Sequence, residues 1–290
     1  MRFTYAEAMT NPEYYVPLAQ AAEAAGYSSI TVADSIAYPK ESDATYPYTP
    51  DGNREFLEDK PFIEAFVLSA AILAATKTLR VTPFVVKLPI RPPVLVAKQA
   101  ASLAALSGNR FGFGVGISPW PDDFEILDVP FEKRGARMDE CIDIVRGLCA
   151  GGYFEYHGEF YDLPPIKISP VPTEPIPILI GGHSAPALRR AARCDGWMHA
   201  GGDGEELDRL LVKLDKLREE HGTRKDFEVH VISLDAYTVD GIKRLEDKGV
   251  TDVIVGFRSP YTREHDTEPL DTKITHLSKF AERVIAKVNS

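Results

Sequence analysis

Long apolar runs, excess positive charge and paired cysteines are all missing from this chain. No stretch of 18 apolar residues occurs, so no segment has the composition of a membrane-spanning helix. The formal net charge is −10, which argues against nucleic acid or an anionic membrane as the main partner. Cysteine is limited to Cys141, Cys149 and Cys194, an odd number in helical patterns without metal-ligand spacing. Residues Arg2 to Ala6 read as a strand rather than a signal peptide, so the expected compartment is the reducing cytoplasm. Chemistry-bearing motifs are missing too. No Gly-x-Gly-x-x-Gly supports a dinucleotide fold, no His-Glu-x-x-His or strand 1 His-x-His supports a metal site, and no Gly-x-Ser-x-Gly supports a serine hydrolase. What remains, 44% hydrophobic and 26% charged residues, is the composition of an ordinary globular protein.

The segment from Leu79 to Gly116 is the most informative one present. An apolar run, Val81 to Val86, stops at Lys87-Leu-Pro-Ile-Arg91; a helix follows Pro92-Pro93 and closes at Ser107-Gly108-Asn109. A second strand, Arg110 to Val115, brings glycine to positions 112, 114 and 116. Two buried strands bridged by a helix make a parallel βαβ unit, and in such folds ligands meet the carboxyl ends of the strands.

The same alternation recurs along the chain. Strands are predicted near 2–6, 28–33, 79–86, 110–115, 176–180, 196–200, 228–234 and 252–257. Helices are predicted near 13–25, 62–76, 93–106, 131–150, 184–194, 204–221, 239–248 and 271–287. Eight units of each kind, in a chain close to the ~250 residues typical of the class, point to an α/β (β/α)₈ TIM barrel formed as one domain over 1–290. A doubly wound open sheet would give no reason for eight units. Two segments exceed the usual connection length. Residues 34–61 begin at the carboxyl end of strand 2, on the face where sites form, and are a lid candidate. Residues 151–175 precede a strand, on the opposite face, and read as a structural β-hairpin or interface cover.

Several residues at strand ends carry two readings. Gly181-Gly182-His183-Ser184 turns a strand into a helix capped by Ser184 with Pro186 in its first turn. The free N–H groups there make an anion site, or the glycines only make a tight turn. Gly116 to Ser118 allow close approach of a ligand, or of packed strands. Trp120 walls a flat ring or plugs the barrel mouth. Asp34 is placed to hold a polar ring edge or act as an acid/base, or it caps its loop. His183 and His199 lie at strand ends and His230 within strand 7, where a hydrogen-bonded structural role competes with catalysis.

The chain resembles the luciferase-like monooxygenase superfamily, and within it the branch that depends on coenzyme F420. The resemblance rests on Asp34 after strand 2, TYPYTPDG at 45–52 and VVKLPIRPPVLVAKQAASLAALSGNRFGFGVG at 85–116. DDFEILDVPFEKRGARMDECIDIVRGL at 122–148, ILIGGHSAPALRRAARCDGW at 178–197 and DGEEL at 203–207 extend it. It implies a flavin or deazaflavin at the carboxyl ends of the strands, with a non-proline cis peptide at Phe84–Val85 behind the cofactor ring. It further implies cofactor contacts from Gly116, Ile117 and Ser118 and from Gly181, Gly182, His183 and Ser184, with Asp34 near the polar edge of the ring. A homodimer is implied as well.

The chain departs from the superfamily's sugar-phosphate dehydrogenases in three places. Ser35 stands where they carry histidine, Pro119-Trp120 interrupts the position of their glutamate, and Asp203 aligns with the lysine that holds their substrate phosphate. An anionic substrate would be repelled by Asp203. The expected activity is therefore hydride transfer between F420 and a small, apolar organic substrate, with Asp34, His199, Tyr46 and Tyr48 as candidate catalytic residues. A reduced-FMN monooxygenase and a non-catalytic flavin-binding or deazaflavin-binding protein are the alternatives.

Overall fold

In the computed structural model, which describes residues 1–46, 49, 51–222 and 226–288, the eight expected staves form around one axis. In chain order the strands are β1 (Arg2–Ala6), β2 (Ser29–Val32), β3 (Arg80–Pro83), β4 (Val86–Lys87) and β5 (Phe113–Gly116). They continue with the hairpin pair β6 (Phe154–His157) and β7 (Asp162–Ile166), then β8 (Ile178–Gly181), β9 (Gly196–His199), β10 (Glu228–Val231) and β11 (Asp252–Val255). The main sheet runs β3-β2-β1-β11-β10-β9-β8-β5-β4, with every pairing parallel. A parallel bridge between Val81 and Phe111 joins its two ends, so the sheet closes into a (β/α)₈ barrel.

The third stave departs from the continuous strand predicted for 79–86. It is cut into β3 and β4 by a bulge in which the Phe84–Val85 peptide is cis, the bond implied by the family resemblance. The fourth stave begins later than predicted, at Phe113, and Gly116 lies within it rather than past its end. Residues 151–175 contain the antiparallel hairpin β6–β7, in agreement with the structural reading of that segment.

Ten α-helices are defined among the described residues: α1 (Tyr15–Ala24), α2 (Ala65–Ala75), α3 (Pro93–Ser107), α4 (Pro121–Ile126), α5 (Arg134–Cys149), α6 (Ala185–Ala192), α7 (Gly204–His221), α8 (Val239–Asp247), α9 (Leu270–Phe280) and α10 (Ala286–Val288). A π-helical turn, Ala281–Ile285, joins the last two. Their starts follow capping chemistry: Glu64, Ser184, Asp203 and Thr238 each accept a bond from a first-turn N–H. The short helix α4 is absent from the sequence expectation. None of the described helices is long and apolar enough to cross a membrane.

Two apolar layers hold the barrel. Between strands and helices lies the main core, where Phe3, Leu18, Ile30, Ile72, Val115 and Trp197 are fully enclosed. Each such side chain contributes about 1.5–3 kcal/mol through burial. Inside the barrel, Leu179, Met198 and Ile254 fill the axis, and Ala6, Phe84, Val85 and Ile232 pack on them. Below this layer the amino-terminal end is closed by charge. Arg80 and Arg2 bind Glu228, and Arg2 also binds Asp252 at 2.7 Å. Burial opposes ionisation of Glu228, yet bonds from His230 and Arg80 hold it down to about 2. Ligand atoms of Glu228, His230 and Asp252 lie within 4.8 Å of one another, but the two guanidiniums already neutralise the carboxylates. Gly112 belongs to this plug: its missing Cβ leaves room for the Arg80 guanidinium.

Candidate active site

Alternation along the third stave sets the floor of the mouth. Val86 points into the outer core, whereas Val85 points to the barrel axis. A Cβ on Gly116 would lie 2.6 Å from Val85 Cγ2, and one on Gly181 would lie 2.8 Å from Val85 Cγ1. These two glycines therefore seat the Val85 side chain between neighbouring staves. Phe84 and Val85 remain partly exposed above the inner layer, as an apolar platform.

The Asp34 carboxylate is enclosed beside that platform. Its side chain is 0% exposed and accepts bonds from Arg91 at 2.8 Å and from the Lys87 N–H at 2.9 Å. This geometry fixes the chain after the bulge and leaves the carboxylate no open position toward a ligand. Ser118 is likewise engaged: its buried hydroxyl donates to Asp123 and accepts from the Trp120 N–H. Ile117 is partly exposed beside it.

On the far side of the mouth, His183 and His199 stack face to face, with centroids 4.5 Å apart and planes 11° from parallel. His183 Nε2 accepts the Ala200 N–H at 3.1 Å, and His199 Nδ1 accepts the Gly201 N–H at 3.3 Å. Each acceptor role assigns the neutral tautomer with the proton on the other nitrogen. Burial and the neighbouring His183 push the His199 pKa down to about 4. His199 is 0% exposed, and its Nε2 makes no hydrogen bond of ordinary geometry, though the Ile232 carbonyl favours its protonation slightly. His183 Nδ1 faces Glu206 of α7 at 3.6 Å; burial lowers its pKa and Glu206 works against that shift. The two imidazoles thus hold the Ala200–Gly201 turn, and the half-exposed Glu206 is the open end of the group.

Gly182 has φ +116°, a conformation that glycine supplies, and its carbonyl accepts the Trp197 indole N–H at 2.8 Å. Ser184 caps α6 by accepting from the Ala187 N–H. The strand-to-helix turn predicted at 181–184 is present, with the Ala187 N–H bonded to the Ser184 side chain and the Leu188 N–H to the Ser184 carbonyl. Asp203 caps α7.

The described part of the segment 34–61 is tied to its surroundings at several points. The Trp120 indole donates to the Thr45 carbonyl at 3.1 Å, and Ser42 donates to Asp122 at 2.7 Å. Lys60 donates to the carbonyls of Arg263 and Glu264. Tyr46 packs with Phe56 at 5.0 Å, Tyr261 at 5.8 Å and Trp120 at 5.9 Å. It therefore sits in the aromatic cluster of the lid. Tyr48 lies outside the described residues. Trp120 thus ties the 34–61 segment to the start of α4.

Sequence reasoning missed Asp123 and Lys87. Asp123, 2% exposed on α4, pairs with the Lys87 ammonium at 2.7 Å, and that ammonium lies 4.9 Å from the Trp120 ring centroid. A carboxylate thus reaches the region where Pro119-Trp120 interrupts the glutamate position, but from the next helix. Asp122-Asp123 in sequence looks like ordinary acidic decoration of a helix start, so no signal marked it.

The luciferase-like monooxygenase family model matches residues 2–266. The chain belongs to that family. An uncharacterized protein of Mycobacterium tuberculosis is 70% identical over 288 residues, covering 99% of this chain and all of that protein. Among solved structures, the monooxygenase RslO1 from Streptomyces bottropensis aligns with a TM-score of 0.78 at 16% identity, covering 99% of both chains. The coenzyme F420 dependent tetrahydromethanopterin reductase from Methanopyrus kandleri aligns with a TM-score of 0.74 at 15% identity, again over 99% of both chains. At these identities the structural matches establish the shared fold.

Proposed function

We propose that the protein is an F420-dependent oxidoreductase that transfers a hydride between the deazaflavin and a small, apolar organic substrate. The observation that carries the reading is the Phe84–Val85 platform, partly exposed above a dry inner layer and roofed by an aromatic lid. These residues fit a planar tricyclic ring, and the N–H groups from Gly182 to Ser184 fit its phosphate. When bound, the deazaflavin supplies the hydride chemistry.

The chain's own residues bind, orient and shield. Phe84 and Val85 back the ring, while Asp34, through Arg91 and the Lys87 N–H, fixes the loop behind them. Trp120, Tyr46 and Phe56 close the roof and exclude water. Glu206, backed by His183, holds or releases a proton at the mouth. Asp34 and His199 are positioning residues in this scheme: the Asp34 carboxylate is held by Arg91 and the Lys87 N–H, and the buried His199 ring holds the Gly201 N–H. The protein works in the cytoplasm as a homodimer, an assembly that sedimentation at micromolar concentration tests.

Titration with F420 and FMN, each oxidised and reduced, separates the readings. Tight F420 binding supports the proposal; tight FMN binding with negligible F420 affinity overturns it in favour of a reduced-FMN monooxygenase. That second reading is favoured by the end-to-end likeness to RslO1. F420 binding without hydride transfer across a broad substrate panel would support the binding-protein reading.

A further inference from the structure

A cavity of about 290 Å³ opens beside the last helices of the chain. Its floor is aromatic. Phe280 of α9 packs against Phe257 at 5.7 Å and against Tyr237 at 5.8 Å. The Tyr237 hydroxyl is already committed, donating to the Gly256 carbonyl at 2.6 Å, so the floor offers ring surface and no free hydroxyl.

The rim is cationic. His276, Lys279 and Arg283 line the cavity at helical spacing i, i+3 and i+7, along one edge of the helix. His276 faces Glu268 at 3.5 Å. Lys279 and Arg283 are exposed and, among the described residues, have no ion-pair or hydrogen-bond partner. Like charges at i, i+4 repel on a helix. Two unpaired cations side by side, on a chain of net charge −10, form a local reversal of the surface field. Arg283 and Val284 lie within the π-helical turn Ala281–Ile285, where the Ala286 N–H bonds the Ala281 carbonyl five residues back. Such turns are rare and are frequent at functional sites.

We propose that this cavity binds a small amphipathic monoanion, an aromatic or medium-chain acid. Its apolar body lies on Phe257 and Phe280 and its anionic head lies between Lys279 and Arg283. Apolar contact alone would accept a neutral analogue, whereas the two cations select the acid. None of its lining residues belongs to the platform, the histidine pair or the aromatic cluster around Trp120, and the proposal does not depend on the cofactor reading.

The test uses the full chain with 2-naphthoate and its neutral analogue naphthalene-2-carboxamide, measured by calorimetry. We expect saturable 1:1 binding of the acid, with the carboxamide weaker by about tenfold or more, the scale of one charge-assisted contact. Lys279→Glu and Arg283→Glu, both at exposed positions, should each weaken the acid by about tenfold and leave the carboxamide unchanged. Arg283→Lys should retain most of the affinity. Equal affinity for acid and amide, acid binding that survives both charge reversals, or no saturable binding at millimolar ligand would each overturn the proposal.

Discussion

The side chain of Val85 occupies the space that a Cβ on Gly181 would need, with Cγ1 at 2.8 Å from that point. Val85 is β-branched and cannot swing clear of an added methyl. Gly181→Ala should therefore destabilise the protein by roughly 1–3 kcal/mol, the cost of overpacking a tight contact. Val85→Ala in the same chain should recover most of that loss. A double-mutant cycle by urea unfolding reads the coupling, and strict additivity would show that the two residues do not compete for one space.

Asp34 and Arg91 form a buried pair whose loss should fall first on stability. Asp34→Ala leaves the guanidinium enclosed without its partner and frees the Lys87 N–H. The expected cost is about 3–5 kcal/mol, the scale for breaking a buried pair from one side. Thermal unfolding measures it. A fully stable but inactive Asp34→Ala protein would restore a direct catalytic role to the carboxylate.

The pH dependence of stability follows from His199. Its folded pKa of about 4 lies below the ordinary histidine value of about 6.5, so the unfolded chain takes up the proton first as pH falls. Its contribution is complete above pH ~6.5 and is lost as pH falls toward ~4, by up to about 3 kcal/mol. His183, also lowered by burial, acts in the same direction. His199→Phe should be less stable near neutrality, through loss of the Gly201 bond, and should show a shallower decline across that window. Denaturant titrations at stepped pH compare the two slopes, and parallel slopes would assign the acid sensitivity elsewhere.

Trp120 links the lid to the barrel through one hydrogen bond and a shared aromatic cluster. Trp120→Ala should release residues 38–60 while leaving the barrel intact. Limited proteolysis should then cut that segment at least about tenfold faster, because cleavage tracks the open population. Under the proposed function, kcat would fall with KM raised, as expected when closure over the substrate weakens. Unchanged cleavage would mean that the remaining contacts of the lid, such as Ser42 with Asp122, suffice to hold it.

The barrel was legible because strand and helix periodicity are local. Buried tetrapeptides such as Ser29–Val32 and Asp252–Val255, each preceded by a helix and a glycine stop, mark the staves without reference to neighbours. The site was legible by position more than by role. Gly182, His183 and Ser184 stand at the predicted strand-to-helix turn, and Phe84–Val85 at the predicted bulge. The role of Asp34 was not legible, because its partner Arg91 lies 57 residues away in sequence and only the bulge brings them together. Asp123 was invisible for the same reason: its ionic partner Lys87 stands on another stave.

The sequence by itself determined the number of staves, their order and the carboxyl-end turns, since each depends on hydrophobic periodicity, caps and glycine stops within a few residues. Tertiary structure alone decided which polar atoms face the mouth. Orientation there is set by the folded loops after the staves, and for Asp34 and Asp123 by a partner on another stave. Asp34 is drawn to Arg91, His199 to the Gly201 N–H and Ser118 to Asp123, while Glu206 keeps an open edge. A strand-end residue can point either way at little local cost, and the partner that the folded loop brings to it settles the choice.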